Sequence, residues 1–117
     1  MDILKILTKK YNKAILFLLE KYGTLHYSAI KKSLNNVHDH LLTKALDELV
    51  EAGLIKRELE NPNIRPSRVL YSLTDLGKMA LNIYSIAKKI EDSRIKVIGN
   101  NNIIINNVSS SNINIKK

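Results

Sequence analysis

The run from Leu42 to Gly77, LTKALDELVEAGLIKRELENPNIRPSRVLYSLTDLG, constrains this chain more than any other stretch. Leu42, Leu46, Leu49 and Val50 recur at helical spacing, so a helix from about Asp39 to Ala52 buries one stripe. Gly53 ends that helix, and Leu54 packs back as the apolar residue after the cap. Leu54 to Leu59 alternates as a strand, with Ile55, Arg57 and Leu59 on one side and Lys56 and Glu58 on the other. Residues 60–67 carry Pro62 and Pro66 and read as a loop. Arg68 to Leu73 returns as a second strand, completing a basic hairpin. Thr74 then caps a new helix, with Asp75 favoured in its positive first turn.

Upstream, residues 3–22 predict a helix on the stripe Leu4, Leu7, Tyr11, Ala14 and Leu18, stopped at Gly23. Leu25 to Tyr27 predicts a short strand. Ser28 is expected to cap a second helix that turns Ile30 and Leu34 inward. Asn35-Asn36 makes the turn, because asparagine tolerates left-handed backbone. The helix after Thr74 is expected to reach about Lys96. Leu76, Ala80, Ile83, Ala87 and Ile90 step by four, three, four, three along it, a heptad seam whose alanines permit close helix approach. A homodimer, helix against helix, is the natural partner for that seam, with Leu4, Leu7 and Tyr11 joining it. The competing reading packs the seam on the chain's own first helix.

The segment from Val97 is low in complexity, with seven Asn, six Ile and three Ser. Residues 103–108 and 113–116 pair as a hairpin on the strand reading of this tail; the Asn and Ser content argues for turns or disorder instead. The domain reading is therefore a DNA-binding unit over 1–74, a dimerisation helix over 75–96 and a tail over 97–117.

Nineteen Lys+Arg against eleven Asp+Glu give a net charge of +8, which suits a polyanionic partner. The absence of cysteine excludes disulfides, thiolate metal sites and a thiol redox switch within these 117 residues. It fits a reducing cytoplasm. No stretch approaches the roughly 20 apolar residues of a spanning helix, so no membrane role is expected.

The order of helix, turn, helix, strand, basic loop and strand is that of a winged helix-turn-helix, a mainly α fold with a small β-hairpin. Val37 to Leu49 followed by Glu51 to Arg57 resembles the recognition helix and first wing strand of HxlR-type regulators. Val69-Leu70-Tyr71-Ser72-Leu73-Thr74-Asp75-Leu76-Gly77 resembles the Tyr-x-Leu-Thr-x-x-Gly element that follows the wing in HxlR and PadR proteins. MarR and archaeal Lrs14-like proteins share the layout. The resemblance covers residues 10–95 and implies a homodimeric cytoplasmic transcription regulator of double-stranded DNA with no enzymatic activity. His38 stands where the family more often has a Ser or Thr cap, which leaves Asp39 as the alternative cap.

With the leucines facing the core, the groove-facing set on the third helix is Asp39, His40, Thr43, Lys44 and Asp47. Lys44 has the reach to donate to guanine O6 or N7, and Thr43 to meet a base, a thymine methyl or a phosphate. Asp39 and Asp47 either accept from cytosine N4 or hold Lys44 in place. Lys56, Arg57, Arg65 and Arg68 charge the wing, whose tip is expected in a minor groove. Ser28, Lys31 and Lys32 are candidate phosphate contacts. His38 and His40 point about 200° apart on a helix, so no metal site and no cofactor is expected. The alternative function is an architectural, replication or partition DNA-binding protein whose Asn/Ile tail drives assembly.

Overall fold

The computed structural model describes residues 1–99, with side-chain surroundings through residue 95. The order is α1 (Ile3–Thr8), α2 (Lys10–Tyr22), β1 (Leu25–His26), α3 (Tyr27–Ser33), α4 (Asp39–Glu51), β2 (Ile55–Leu59), β3 (Val69–Leu73) and α5 (Asp75–Gly99). The pairing expected for residues 103–108 and 113–116 lies outside the described residues.

The expected first helix is two. Lys9 is extended at φ −70° and ψ 135°, and the chain turns there. The cause is a buried asparagine. Asn12 donates from Nδ2 to the Ile6 carbonyl at 2.9 Å, taking the acceptor that a continuous helix would offer to the Lys10 amide. Thr8 adds a second bond, from its hydroxyl to the Lys5 carbonyl. The break re-aims both pieces. α1 buries Ile6 and Leu7, and α2 buries Asn12, Ile15, Leu16 and Leu19. Tyr11, Ala14 and Leu18, the expected stripe, are only half-buried.

Gly23 closes α2 at φ 85°, its amide bonded to the Leu19 carbonyl. β1 then pairs antiparallel with β3, Leu25 opposite Tyr71 and His26 opposite Leu70. α3 starts at Tyr27 with His26 in the cap position, so Ser28 sits inside the first turn and does not cap it. Asn35 and Asn36 hold the turn at φ 59° and 56°, left-handed as asparagine permits. α4 starts with His38 as the flanking residue and no side-chain cap, so Asp39 does not take the capping role either.

The far end of α4 follows the expectation closely. The Gly53 amide, at φ 77°, bonds to the Val50 carbonyl and the Leu54 amide to the Leu49 carbonyl. That pair of bonds is the Schellman closure, and Leu54 is buried behind it. The sheet runs β1-β3-β2, with Ile55 opposite Leu73 and Arg57 opposite Tyr71. β2 is buried at Ile55 and exposed from Lys56 to Leu59. Thr74 joins the pieces: its hydroxyl donates to the Gly53 carbonyl and accepts from the Gly77 amide, and its amide donates to the Leu54 carbonyl.

One compact unit spans Met1–Asn82 and a second begins at Ile83. In the first, Leu7, Ile15, Leu16, Leu19, Ile30, Leu42, Leu46 and Leu49 form a core that is almost wholly shielded from water. At about 25 cal/mol per Å2 of apolar surface, each such side chain contributes about 1.5–3 kcal/mol by its burial. Ala80 and Leu81 of α5 are buried in this unit too.

Candidate nucleic-acid interface

α4 is amphipathic in the sense the sequence predicts. Leu42, Ala45, Leu46 and Leu49 are buried, while Asp39, His40, Thr43, Lys44 and Asp47 are all exposed on the opposite stripe. The left-handed Asn35-Asn36 turn sets α4 after α3, and the glycine closure at its C-terminus sends the chain directly into β2. α4 is therefore held at both ends by backbone geometry.

The two aspartates do not hold Lys44. Asp39 lies 2.9 Å from the Lys31 ammonium on α3 and accepts from the Tyr27 hydroxyl at 2.7 Å. The Tyr27 hydrogen bond and then Lys31 hold the Asp39 carboxyl below the usual range. Burial raises the Tyr27 hydroxyl's pKa, and its bond to Asp39 adds to the shift. Asp47 pairs with the Arg57 guanidinium on β2. Arg57 also donates to the Tyr71 hydroxyl at 3.0 Å and lies over that ring, 5.3 Å from its centre. Asp47 first, then Tyr71, raise the pKa of Arg57. Each aspartate thus joins α4 to a neighbouring element. Lys44 makes no ion pair or side-chain hydrogen bond among the described residues.

Glu48, one turn along on another face, is built into the scaffold. It accepts from Asn12 at 2.8 Å and from Lys9 at 3.0 and 3.1 Å, which ties the start of α2 to α4. Asn12 first, then Lys9, lower its pKa. Asn12 and Tyr27 are the residues that sequence reasoning missed here. A lone polar residue inside an apolar helix stripe is the signal that would have found Asn12.

In the wing, Lys56 lies 3.8 Å from Glu58 on its own strand, and Arg65 and Arg68 are exposed with no side-chain partner among the described residues. The tip between them is ordered by its own bonds. The Asn63 amide donates to the Asn61 side chain at 3.0 Å, the Asn61 amide to the Ser67 hydroxyl at 2.9 Å, and the Glu60 amide to the Arg68 carbonyl at 2.8 Å. Such local side-chain bonds hold a loop without sheet partners. His26 Nε2 lies 3.3 Å from Glu60, bringing β1 against the base of the wing. Ser28 and Lys32 are exposed on α3, whereas Lys31 is engaged by Asp39.

The expected dimer set divides. Leu7 is 1% exposed and Ala80 6% exposed, both enclosed by their own protomer, so neither is a surface contact. Leu4, Ile83, Ala87 and Ile90 are exposed, and Tyr11 is half-buried. The large exposed apolar side chains of α5 are Leu76, Met79, Ile83, Ile86, Ile90 and Ile95, of which the first five step by three, four, three, four. Met79 and Ile86 share the period of the expected seam, in which Ala87 is exposed and Ala80 is buried. The alanines matched the period equally well, but one of them is enclosed by its own core and the larger side chains are the ones left bare.

Comparison with known proteins bears on this geometry. The HxlR-like helix-turn-helix family model matches residues 6–98. The chain belongs to the HxlR-like helix-turn-helix family. That is a family of transcriptional regulators and not of enzymes. This HxlR-like chain is 42% identical over 113 residues to an uncharacterized protein of Methanocaldococcus jannaschii, covering 97% of itself and 90% of that protein. It is 39% identical over 93 residues to an uncharacterized HTH-type transcriptional regulator of the same organism, with 79% and 84% covered. Its fold is similar to the crystal structure of a MarR-family regulator from Enterococcus faecalis V583, at TM-score 0.70 and 24% identity, covering 82% and 84% of the two chains. Among the described residues of the HxlR-like chain no helix is long and apolar enough to cross a membrane, and no three metal-ligating side chains converge.

Proposed function

We propose that this chain is a sequence-specific regulator of transcription that binds duplex DNA as a homodimer. In this reading α4 enters the major groove, with His40, Thr43 and Lys44 toward base edges, and the β2–β3 wing follows the backbone so that Arg65 reaches the adjacent minor groove. The observation that carries the reading is the exposed polar stripe of α4, with an unpaired Lys44 at its middle, beside an ordered wing whose Arg65 and Arg68 are also unpaired among the described residues. Neutralising phosphates with such cations releases counterions and supplies the attraction, while base-edge contacts supply the discrimination.

Dimerisation rests on the α5 stripe. Five large apolar side chains on a heptad step are exposed on one helix, and covering them with a second copy removes that surface from water. Two copies related by a two-fold axis present two reading helices, which fits an operator of two half-sites about one helical turn apart. Binding to chromosomal DNA sets its work in the cytoplasm. The test is selection of bound duplexes from a random pool with the full chain. A recovered motif with inverted half-sites supports the reading; recovery of unrelated sequences with equal affinity rejects the specificity.

A further inference from the structure

The two carboxylates on the reading stripe of α4 are each committed to a cation from a flanking element, one before and one after Lys44 in sequence. Asp39, five residues before Lys44, takes Lys31 of α3 at 2.9 Å; Asp47, three residues after it, takes Arg57 of β2. Both pairs are held by a tyrosine. Tyr27 donates to Asp39, and the Tyr71 hydroxyl and ring hold Arg57. Carboxylates are poor neighbours for phosphates, and a chain selected only for affinity to DNA gains nothing by placing them here. We propose that Asp39 and Asp47 are specificity-determining masks: each withholds one cation, Lys31 or Arg57, from the phosphate backbone, so that Lys44 and its base-reading neighbours carry a larger share of binding. This rests on the DNA-binding reading above and adds to it the residues that set the ratio of specific to non-specific affinity.

The expectation is numerical. Each phosphate neutralised on duplex DNA steepens the dependence of log K on log salt by about 0.9, and at ~0.1 M salt that corresponds to roughly eightfold tighter binding. Masking two cations therefore lowers affinity for random sequence by a factor of roughly sixty in this arithmetic.

The experiment measures binding of the full chain and of Asp39→Asn and Asp47→Asn, across a salt series, to a random duplex and to the best duplex from selection. At position 39 asparagine keeps a carbonyl oxygen to accept from Tyr27, and at both positions it removes the charge without changing the side chain's size. Each variant is expected to bind the random duplex several-fold more tightly with a slope steeper by about one, and to lose discrimination between the two duplexes. Lys31→Gln is expected to change random-duplex binding little in the wild-type background and to cancel the gain in the Asp39→Asn background. Loss of affinity for the selected duplex at one base pair, with the random-duplex slope unchanged, would show that the aspartates read cytosine directly and would overturn the mask. No change in either slope or discrimination, with melting temperature lowered, would reduce both pairs to scaffold and overturn it too. A wild-type chain that binds neither duplex overturns the DNA-binding reading itself, an outcome separate from failure of the mask.

Discussion

Replacing Gly77 with alanine sets a methyl group on the backbone that joins α5 to the wing. A Cβ built at Gly77 lies 2.0 Å from the Leu54 carbonyl oxygen and 3.1 Å from both its carbon and a Leu73 methyl. The obstacle is main chain, held in the Schellman closure of α4 and bonded to the Thr74 amide at 3.1 Å, so it does not swing aside as a side chain would. Forcing a methyl into such a contact costs about 1–3 kcal/mol. Loss of the Leu54–Thr74 hydrogen bond adds about 1 kcal/mol. Alanine returns about 1 kcal/mol of helix propensity, because Gly77 lies within α5. The net is a loss of about 1–3 kcal/mol, or a fall in melting temperature of about 4–20 °C for a domain of this size. Urea unfolding followed by helical circular dichroism measures it. Gly53→Ala is the comparison: its φ of 77° disfavours a side chain, but the nearest atom is a Leu76 methyl at an ordinary 3.7 Å, so about 1–2 kcal/mol is expected. A Gly77→Ala variant as stable as wild type, or stabilised as an exposed helical glycine would be, refutes the close-approach argument.

Three further outcomes follow from particular contacts. The Glu48 carboxyl is held below its ordinary value by Asn12 and Lys9, so it contributes stability above the unfolded-state value near 4.5 and loses it as pH falls through the lower folded value. Glu48→Gln is therefore expected to be less stable than wild type at pH 7, with the gap closing below about pH 4 in acid-unfolding curves; a gap that stays constant to pH 3 contradicts the assignment. Arg65→Ala is expected to weaken binding to all duplexes alike and flatten the salt slope by about one, whereas Lys44→Ala relaxes preference at one base pair by about 1–3 kcal/mol, both read by fluorescence anisotropy on a panel of single-base variants. Ile86→Glu places a charge in the exposed α5 stripe and is expected to yield monomers in sedimentation velocity where wild type sediments as a dimer; an unchanged sedimentation coefficient rejects the stripe as the interface.

What the sequence made legible was local. Gly53 with Leu54 behind it, the Asn35-Asn36 pair and Thr74 ahead of Gly77 each specify backbone conformation within a few residues, and each stands in the structure where its chemistry requires. The buried face of α4 follows from period alone, and so does its exposed polar stripe. Beyond the helix caps at Ser28 and Asp39, the main departures depend on contacts between elements. The break at Lys9 depends on Asn12 reaching Ile6 and Glu48, a contact across 36 residues that no helical period encodes. The partners of Asp39 and Asp47 depend on how α3 and β2 lie against α4. Lys44 is nearer in sequence to Asp47 than Arg57 is, but the β2–β3 register sets Arg57 across from Tyr71 and beside Asp47. On α5 two overlapping sets share one heptad, and the burial of Ala80 is a contact that the period does not encode.

The central claim is that α4 and the wing read duplex DNA as a two-fold pair. Hydroxyl-radical footprinting of the full chain on DNA carrying its selected site tests it most directly. Two protected segments about one helical turn apart, on one face of the duplex and resistant to excess random competitor, are the predicted result. Uniform weak protection that vanishes with competitor, or a single half-site bound by a monomer, would contradict it.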